Sequence, residues 1–355
     1  MSLNYFTATG FRCLDTLEIE PHPGCNLITG VNASGKTSLL ESLFYLGRGR
    51  SFRASTNREL IRTGSSSFTI FGITADKDSA QHKLGIEVGT GQRDVRIDGV
   101  SGTGAELARW LPVQVIDPEI HELVQGGPEL RRRFLDWGVF HVKHDFLGAW
   151  RAYQQALRQR NAAIRQNEPD EMVNLWDEAL VQSGERVDSL RREFLTEFLQ
   201  LFSSIVAENL PFDAICTYKC GWSSNLNLVN ALHDGLGRDR AFGATQAGPH
   251  RADLSLQVAD RRARHRVSRG QQKMLAAALV ITQIRYVATH LATKPVLLVD
   301  DPAAELDRAN RERLFALLQD IPAQMFITAL ETEDLPWSAD ARMFHVEHGK
   351  VASLL

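Results

Sequence analysis

Gly30-Val31-Asn32-Ala33-Ser34-Gly35-Lys36-Thr37 is a complete G-x-x-x-x-G-K-T phosphate-binding loop, and its flanks have the pattern such a loop requires. Before it, Cys25-Asn26-Leu27-Ile28-Thr29 reads as a buried strand; after it, Leu39, Leu40, Leu43, Phe44 and Leu46 recur at helical spacing. Gly30 and Gly35 let the backbone turn its N–H groups onto phosphate oxygens, and the following helix adds the positive end of its dipole. Lys36 brings charge to the terminal phosphates, and the Thr37 hydroxyl is suited to ligand Mg²⁺. A chance Gly-rich turn has no reason to sit between a buried strand and an apolar-faced helix, so a nucleotide site is expected here.

A second motif supports the first. Pro295-Val296-Leu297-Leu298-Val299-Asp300-Asp301 is a short apolar strand ending in two carboxylates, the usual complement of a phosphate loop. Asp300 would hold Mg²⁺ through water, and Asp301 stands where a base could orient an attacking water. A third motif, Ser268-Arg269-Gly270-Gln271, opens a helix with a hydroxyl and exposed N–H groups, a second phosphate-binding surface. One chain rarely needs two such surfaces. The economical reading is that the Ser268 helix completes a partner's site, with nucleotide sandwiched between two protomers.

The remaining chain divides by character. Leu3 to Ala8 and Leu14 to Glu20 alternate around a turn at Gly10, and short strands follow at Phe68–Ile73, Lys83–Val88 and Val95–Ile97. Val113 to Ile116 reads as another buried strand, ending in Asp117-Pro118-Glu119. From about Gly126 long helical stripes take over: Phe146, Trp150, Tyr153, Leu157 and Ile164, then Leu175, Leu180, Val187, Leu190, Phe194, Phe198, Leu201 and Ile205. These stripes are read as core between helices, in a segment too short for an extended coiled-coil arm. The expected organisation is 1–125 as the first ATPase half, 126–245 as an inserted helical subdomain, and 246–355 as the second half. His250 is read as a histidine hydrogen-bonded within a structural turn.

Composition bounds the rest. At 355 residues and 43% hydrophobic, the chain has material for about two domains. A formal net charge of −3 supplies no global basic field, so nucleic acid would be held by local patches. No stretch approaches the ~18 apolar residues of a membrane span, and the N-terminus lacks a basic flank with an apolar core; a cytoplasmic protein without a membrane role is expected. Cys13, Cys25, Cys216 and Cys220 show no metal-ligand spacing and are read as reduced thiols.

The order phosphate loop, helical insertion, S-x-G-Q, apolar strand with two acids, and Ala304-Glu305-Leu306-Asp307 resembles an ABC-type ATPase head related to the structural-maintenance-of-chromosomes proteins. More specifically it resembles the bacterial RecF family of DNA replication and repair proteins. Gly49-Arg50-Ser51-Phe52-Arg53, Gly127-Pro128-Glu129-Leu130-Arg131-Arg132-Arg133-Phe134-Leu135-Asp136 and Gly248-Pro249-His250-Arg251-Ala252-Asp253 carry this as well. The fold implied is α/β, an ABC-type P-loop ATPase head of mixed sheet with an antiparallel lobe and an inserted helical subdomain. The function implied is an ATP-dependent DNA-binding protein of recombinational gap repair and replication restart. It would act with RecO and RecR, connect to the SOS response, and behave as an ATP-dependent homodimer with weak, DNA-stimulated hydrolysis.

Carried over by position, Asn32, Gly35, Lys36, Thr37 and Ser38 would surround the phosphates. Asp300 and Asp301 take the metal and water roles, Ser268, Gly270 and Gln271 meet the partner's γ-phosphate, and Asp307 lies across the dimer interface. The chain departs from the general ABC pattern at Arg269, which replaces a glycine, and at Asp301, where many relatives have Glu. A third departure is at Thr328-Ala329, where a switch His is usual; the lid Gln is also absent, leaving Glu119 in its place. A shorter base and no switch His imply slow hydrolysis. Arg131, Arg132 and Arg133, and the run Arg261, Arg262 and Arg264, are the candidate contacts to single-stranded, gapped or duplex DNA. The alternative function is the ATPase subunit of a membrane transporter, which shares the three nucleotide motifs; a small-molecule phosphotransferase would leave Ser268 without a purpose.

Overall fold

Strands of alternating and fully apolar pattern set the architecture of the chain in this computed structural model, which describes residues 2–75, 80–302, 306–319, 321–331 and 340–354. The first elements are β1 (Ser2–Phe11), β2 (Leu14–Ile19), β3 (Cys25–Thr29), α1 (Lys36–Arg48), β4 (Ser67–Ala75), β5 (Gln81–Gly89), β6 (Arg93–Ile97), β7 (Val100–Ser101), α2 (Gly104–Trp110) and β8 (Val113–Ile116). Then follow α3 (Glu122–Gln125), α4 (Pro128–Val142), α5 (Phe146–Arg165), α6 (Asp170–Asn174), α7 (Asp177–Asn209), β9 (Ile215–Lys219), α8 (Leu228–Phe242), β10 (Asp253–Val258), β11 (Arg261–Arg262) and α9 (Arg269–His290). The chain ends with β12 (Val296–Val299), α10 (Arg308–Gln319), β13 (Gln324–Ala329), β14 (Ala341–Glu347) and β15 (Lys350–Ser353).

These elements form two compact units, residues 1–120 with 276–355, and residues 121–275. The boundary falls inside α9. Residues 246–275, expected from the sequence to belong with the C-terminal ATPase half, are therefore grouped with the helical unit, because β10 pairs with β9 of that unit.

In the first unit, β2-β1-β4-β5-β6-β7 make a sheet of antiparallel pairs, and β15-β14-β3-β13-β12-β8 make a second sheet in which β8, β12, β13, β3 and β14 run parallel. Parallel strands are buried on both faces. β3 and β12 are buried at every residue, and so is β13. One continuous core joins both sheets through α1, with Phe6, Phe11, Leu39, Leu43, Tyr45, Phe68, Leu298 and Phe326 among its members.

In the second unit, α7 is 33 residues long and supplies Phe194, Phe198 and Phe202, all fully buried. Two buried arginines tie it together. Arg191 donates to both oxygens of Asp136 (2.8 and 3.0 Å) and to the carbonyl of Pro249 (2.8 Å). Arg160 reaches Asp177, Asp239 and Thr245 at 2.7, 2.6 and 2.8 Å. His250 is bracketed by the Tyr153 hydroxyl on Nδ1 and the carbonyl of Thr245 on Nε2. Nε2 must donate to that carbonyl, so the ring is a neutral acceptor toward Tyr153. Burial holds its pKa down to about 4. Gly248-Pro249-His250-Arg251 is thus a structural corner.

α1 makes a testable close approach. A Cβ at Gly47 would lie 2.4 Å from the carbonyl oxygen of Leu111 and 2.5 Å from Val113 Cγ2. Gly47→Ala gains about 1 kcal/mol of helix propensity but forces a backbone shift costing about 1–3 kcal/mol. The variant is expected to unfold at lower urea concentration than the parent; an increase in the urea midpoint would refute this packing.

Candidate nucleotide site

The loop after β3 is shaped by residues in the left-handed region. Gly30 (φ 151°), Ala33 (φ 62°) and Gly35 (φ 118°) turn the chain between β3 and α1. A Cβ on Gly30 would strike the Val346 carbonyl oxygen at 2.3 Å, so glycine is required there for space as well as for φ. Lys36 is buried and its ammonium donates to the carbonyl oxygens of Gly30 (2.5 Å) and Val31 (3.1 Å), closing the loop on itself. Burial lowers the Lys36 pKa, against the opposing pull of Asp301 and Asp300.

β12 delivers the acids to the same place. The Thr37 hydroxyl donates to Asp300 Oδ1 at 3.2 Å. Thr328, on neighbouring β13, donates to that oxygen at 2.9 Å and accepts the backbone N–H of Asp301 at 2.9 Å. Asp301 sits at φ 46°, a conformation Asp tolerates better than most side chains. Thr328 therefore holds both acids, a role its sequence position did not reveal. Its only signal in the sequence is a hydroxyl residue directly after the apolar run Met325-Phe326-Ile327.

Together these groups line a cavity of about 440 Å³. Asn32, Ala33, Ser34, Gly35, Lys36, Thr37 and Ser38 form one side, Asp300 and Asp301 another, with Cys13, Phe52, Arg53, Asp117, Pro118 and Glu119 completing it. Glu119, expected at the lid position, is on this wall. Burial raises the pKa of Asp300, with the hydroxyls of Thr328 and Thr37 opposing. Asp117 is pushed up to about 6, first by burial and then by Asp300 and Glu119. Asp300 and the Thr37 hydroxyl, 3.2 Å apart, are hard oxygen donors of the kind a divalent cation such as Mg²⁺ takes.

The other expected site residues lie elsewhere in the chain. In the second unit, Ser268 and Gln271 cap α9 reciprocally: Ser268 N–H donates to Gln271 Oε1 (2.9 Å), and Gln271 N–H to Ser268 Oγ (3.3 Å). Ser268 and Arg269 are exposed, and Gly270 and Gln271 partly so. Asp307 is exposed and caps α10 by accepting from Asn310 N–H at 2.8 Å; Ala304 and Glu305 of its motif lie outside the described residues.

The arginine clusters divide. Arg131 is buried, donates to Asp253 (2.7 Å) and to the carbonyl of Gly126 (2.7 Å), and so does not present a phosphate-facing charge as expected. Arg132 donates to the carbonyl of Ala252 at 2.8 Å, and Arg133 is exposed but paired with Glu129. Arg261, Arg262, Arg264, Arg266 and Arg269 are all exposed.

Residues 2–351 match the family described as RecF/RecN/SMC N terminal domain. The DNA replication and repair protein RecF of Chromohalobacter salexigens is 39% identical over 99% of both chains. That of Stutzerimonas stutzeri is 40% identical over 100% of this chain and 98% of the relative. The chain belongs to the RecF family. The solved structure of the recombination mediator protein RecF-ATP in the RecFOR pathway superposes with a TM-score of 0.88 at 26% identity, covering 100% of this chain and 98% of that one. An Smc head domain from Pyrococcus furiosus, 17% identical with a TM-score of 0.62 over 99% of this chain and 96% of that one, shares the fold. Family membership sets aside the transporter-subunit and phosphotransferase readings. Among the described residues no helix is long and apolar enough to cross a membrane.

The raised Asp117 pKa gives a signed pH dependence. Its proton is bound more tightly in the folded chain than in the unfolded one, where the pKa is about 3.9. The favourable contribution is full below ~3.9 and is lost as pH rises through about 6. Asp117→Asn should therefore gain stability relative to the parent between pH 4 and 7.5, by up to roughly 3 kcal/mol. Urea melts across that range in the absence of nucleotide would measure it, and a pH-independent difference would refute it.

Proposed function

We propose that this chain is an ATP-dependent DNA-binding protein of recombinational gap repair and replication restart, in which ATP drives dimerisation on DNA and slow hydrolysis releases it. The observation that carries the reading is the single cavity shared by the phosphate loop and the Asp300-Asp301 pair, joined through the Thr37–Asp300 hydrogen bond of 3.2 Å. The solved RecF-ATP relative supports ATP as the nucleotide. With phosphates in the loop, Lys36 exchanges the carbonyls of Gly30 and Val31 for phosphate oxygens, releasing a charge now spent on its own backbone. Thr37 and Asp300 would hold Mg²⁺, which when bound neutralises phosphate charge. Asp301 orients the attacking water; being one methylene shorter than Glu, it reaches less far, which favours a timed switch over a fast motor.

Ser268, Arg269, Gly270 and Gln271 complete the ATP site of a second protomer, with Asp307 at the same interface. The protein would act in the cytoplasm with RecO and RecR, supporting recombinase loading and SOS induction. For DNA, the exposed run Arg261, Arg262, Arg264, Arg266 and Arg269 is favoured over Arg131, because Arg131 is committed to Asp253. Arg262→Glu with Arg264→Glu should weaken DNA binding at least tenfold at low salt and flatten its salt dependence. Unchanged affinity and salt slope would remove this run from the interface.

Complementation tests the shared site. Ser268→Arg should bind ATP but neither dimerise nor hydrolyse it, and Lys36→Ala should be inactive because its phosphate loop lacks charge. Mixed together, they form dimers containing one site with an intact loop and an intact Ser268 helix, and ATPase activity should partly return. Hydrolysis by Ser268→Arg alone would reject the shared-site mechanism.

A further inference from the structure

Glu41 is a fully buried carboxylate that the proposed chemistry does not use. It projects from α1, the helix that begins at the phosphate loop. Both its oxygens are engaged: Arg12 donates to Oε2 through Nε and to Oε1 through Nη2, each at 2.9 Å, and the Ser51 hydroxyl donates to Oε1. Ser51 Oγ in turn accepts the backbone N–H groups of Arg53 (2.8 Å) and Ala54 (2.7 Å). Arg12 also donates through Nη1 to the carbonyl of Glu59 (3.1 Å), and its own N–H bonds the carbonyl of Leu60 (2.7 Å).

The neighbours of these residues form the part of the cavity wall beside the phosphate loop, where Cys13 Sγ donates to Ser38 Oγ at 3.4 Å. Cys13 follows Arg12, and Phe52 and Arg53 follow Ser51; all three line the nucleotide cavity. The two segments come from distant parts of the sequence, and the Arg12–Glu41–Ser51 network is what joins them. Arg12 has φ 55°, so its backbone is held in a left-handed conformation that a non-glycine residue adopts only when its surroundings compensate. A buried carboxylate with a bidentate guanidinium and a hydroxyl is a rigid anchor, since any movement leaves charge unpaired out of water.

We propose that Glu41 is a positioning residue for nucleotide binding, holding the Cys13 and Phe52–Arg53 walls through Arg12 and Ser51, so that α1 sets both the phosphate loop and the cavity wall beside it. This assigns a physical role to Gly49-Arg50-Ser51-Phe52-Arg53, where Ser51 is the link. It rests on the nucleotide reading of the cavity. The network acts on affinity, because it shapes a wall, while the Asp300–Thr328 pairing that aims the acids is made by other residues.

The test uses the full chain and ATP with Mg²⁺. Ser51→Ala removes the link without leaving a buried charge, and Ser51→Thr restores the hydroxyl. Ser51→Ala is expected to raise the ATP dissociation constant, read by calorimetry, and the KM of hydrolysis about tenfold, while kcat falls less than threefold; Ser51→Thr should recover most of the affinity. Glu41→Gln, where it folds, should show the same split. An ATP affinity within twofold of the parent for a Ser51→Ala protein that melts at the parent temperature would overturn the proposal, as would a loss confined to kcat. If the unsubstituted protein fails to bind ATP, the nucleotide reading itself falls, an outcome separate from either result.

Discussion

The parallel register of four strands is the constraint on which the site depends. Val299 pairs with Ile116 on one side and Ile327 on the other, and Ile327 pairs with Leu27. Asp117, Asp300, Thr328 and, two residues beyond Ile28, Gly30 therefore emerge together at the carboxyl ends of adjacent strands, where ligands of open α/β sheets bind. A slip of one residue would turn every side chain to the opposite face. It would take the Thr328 hydroxyl from Asp300 and push a carboxylate into a core made of Leu298 and Phe326. Thus the apolar faces that stabilise the sheet also enforce the geometry of the acids.

Charge is handled differently in the two units. In the first, carboxylates gather at the cavity with their pKa values raised, a strained arrangement that a cationic ligand relieves. In the second, buried arginines are paired with carboxylates: Arg191 with Asp136, Arg160 with Asp177 and Asp239 through Nε and Nη1, Arg131 with Asp253. Removing one member of such a pair leaves an uncompensated buried charge, at about 3–5 kcal/mol. These arginines select one packing of the helices, and the exposed ones remain for other work.

The glycine pattern around Lys36, the apolar run before Asp300 and the helical stripes of α5 and α7 made the fold legible, because each is a local pattern with a single physical meaning. What stayed hidden depends on pairings between distant residues. Arg131, Arg132 and Arg133 read as one basic cluster until Asp253 and the Ala252 carbonyl, more than a hundred residues away, are seen to take two of them. Thr328 read as an empty switch position, since only strand register puts its hydroxyl against Asp300. The α8 helix and the small sheet β11-β10-β9 were not anticipated either: Gly235 and Gly237 interrupt the α8 pattern, and β9 alternates between partly buried and exposed residues. The Ser268 motif declares its chemistry in the sequence, but its grouping with the second unit follows from the β9–β10 pairing.

The reciprocal cap at the start of α9 bears on how quickly a partner could be engaged. Ser268 Oγ uses a lone pair to accept from Gln271, so its own hydrogen is still available to an incoming anion. The hydroxyl can donate outward while the cap stays intact, and no local bond has to break first. On the shared-site reading, the pace of assembly is then governed by diffusive encounter of the two protomers and the charge each presents, with no slow local rearrangement at this helix to wait for.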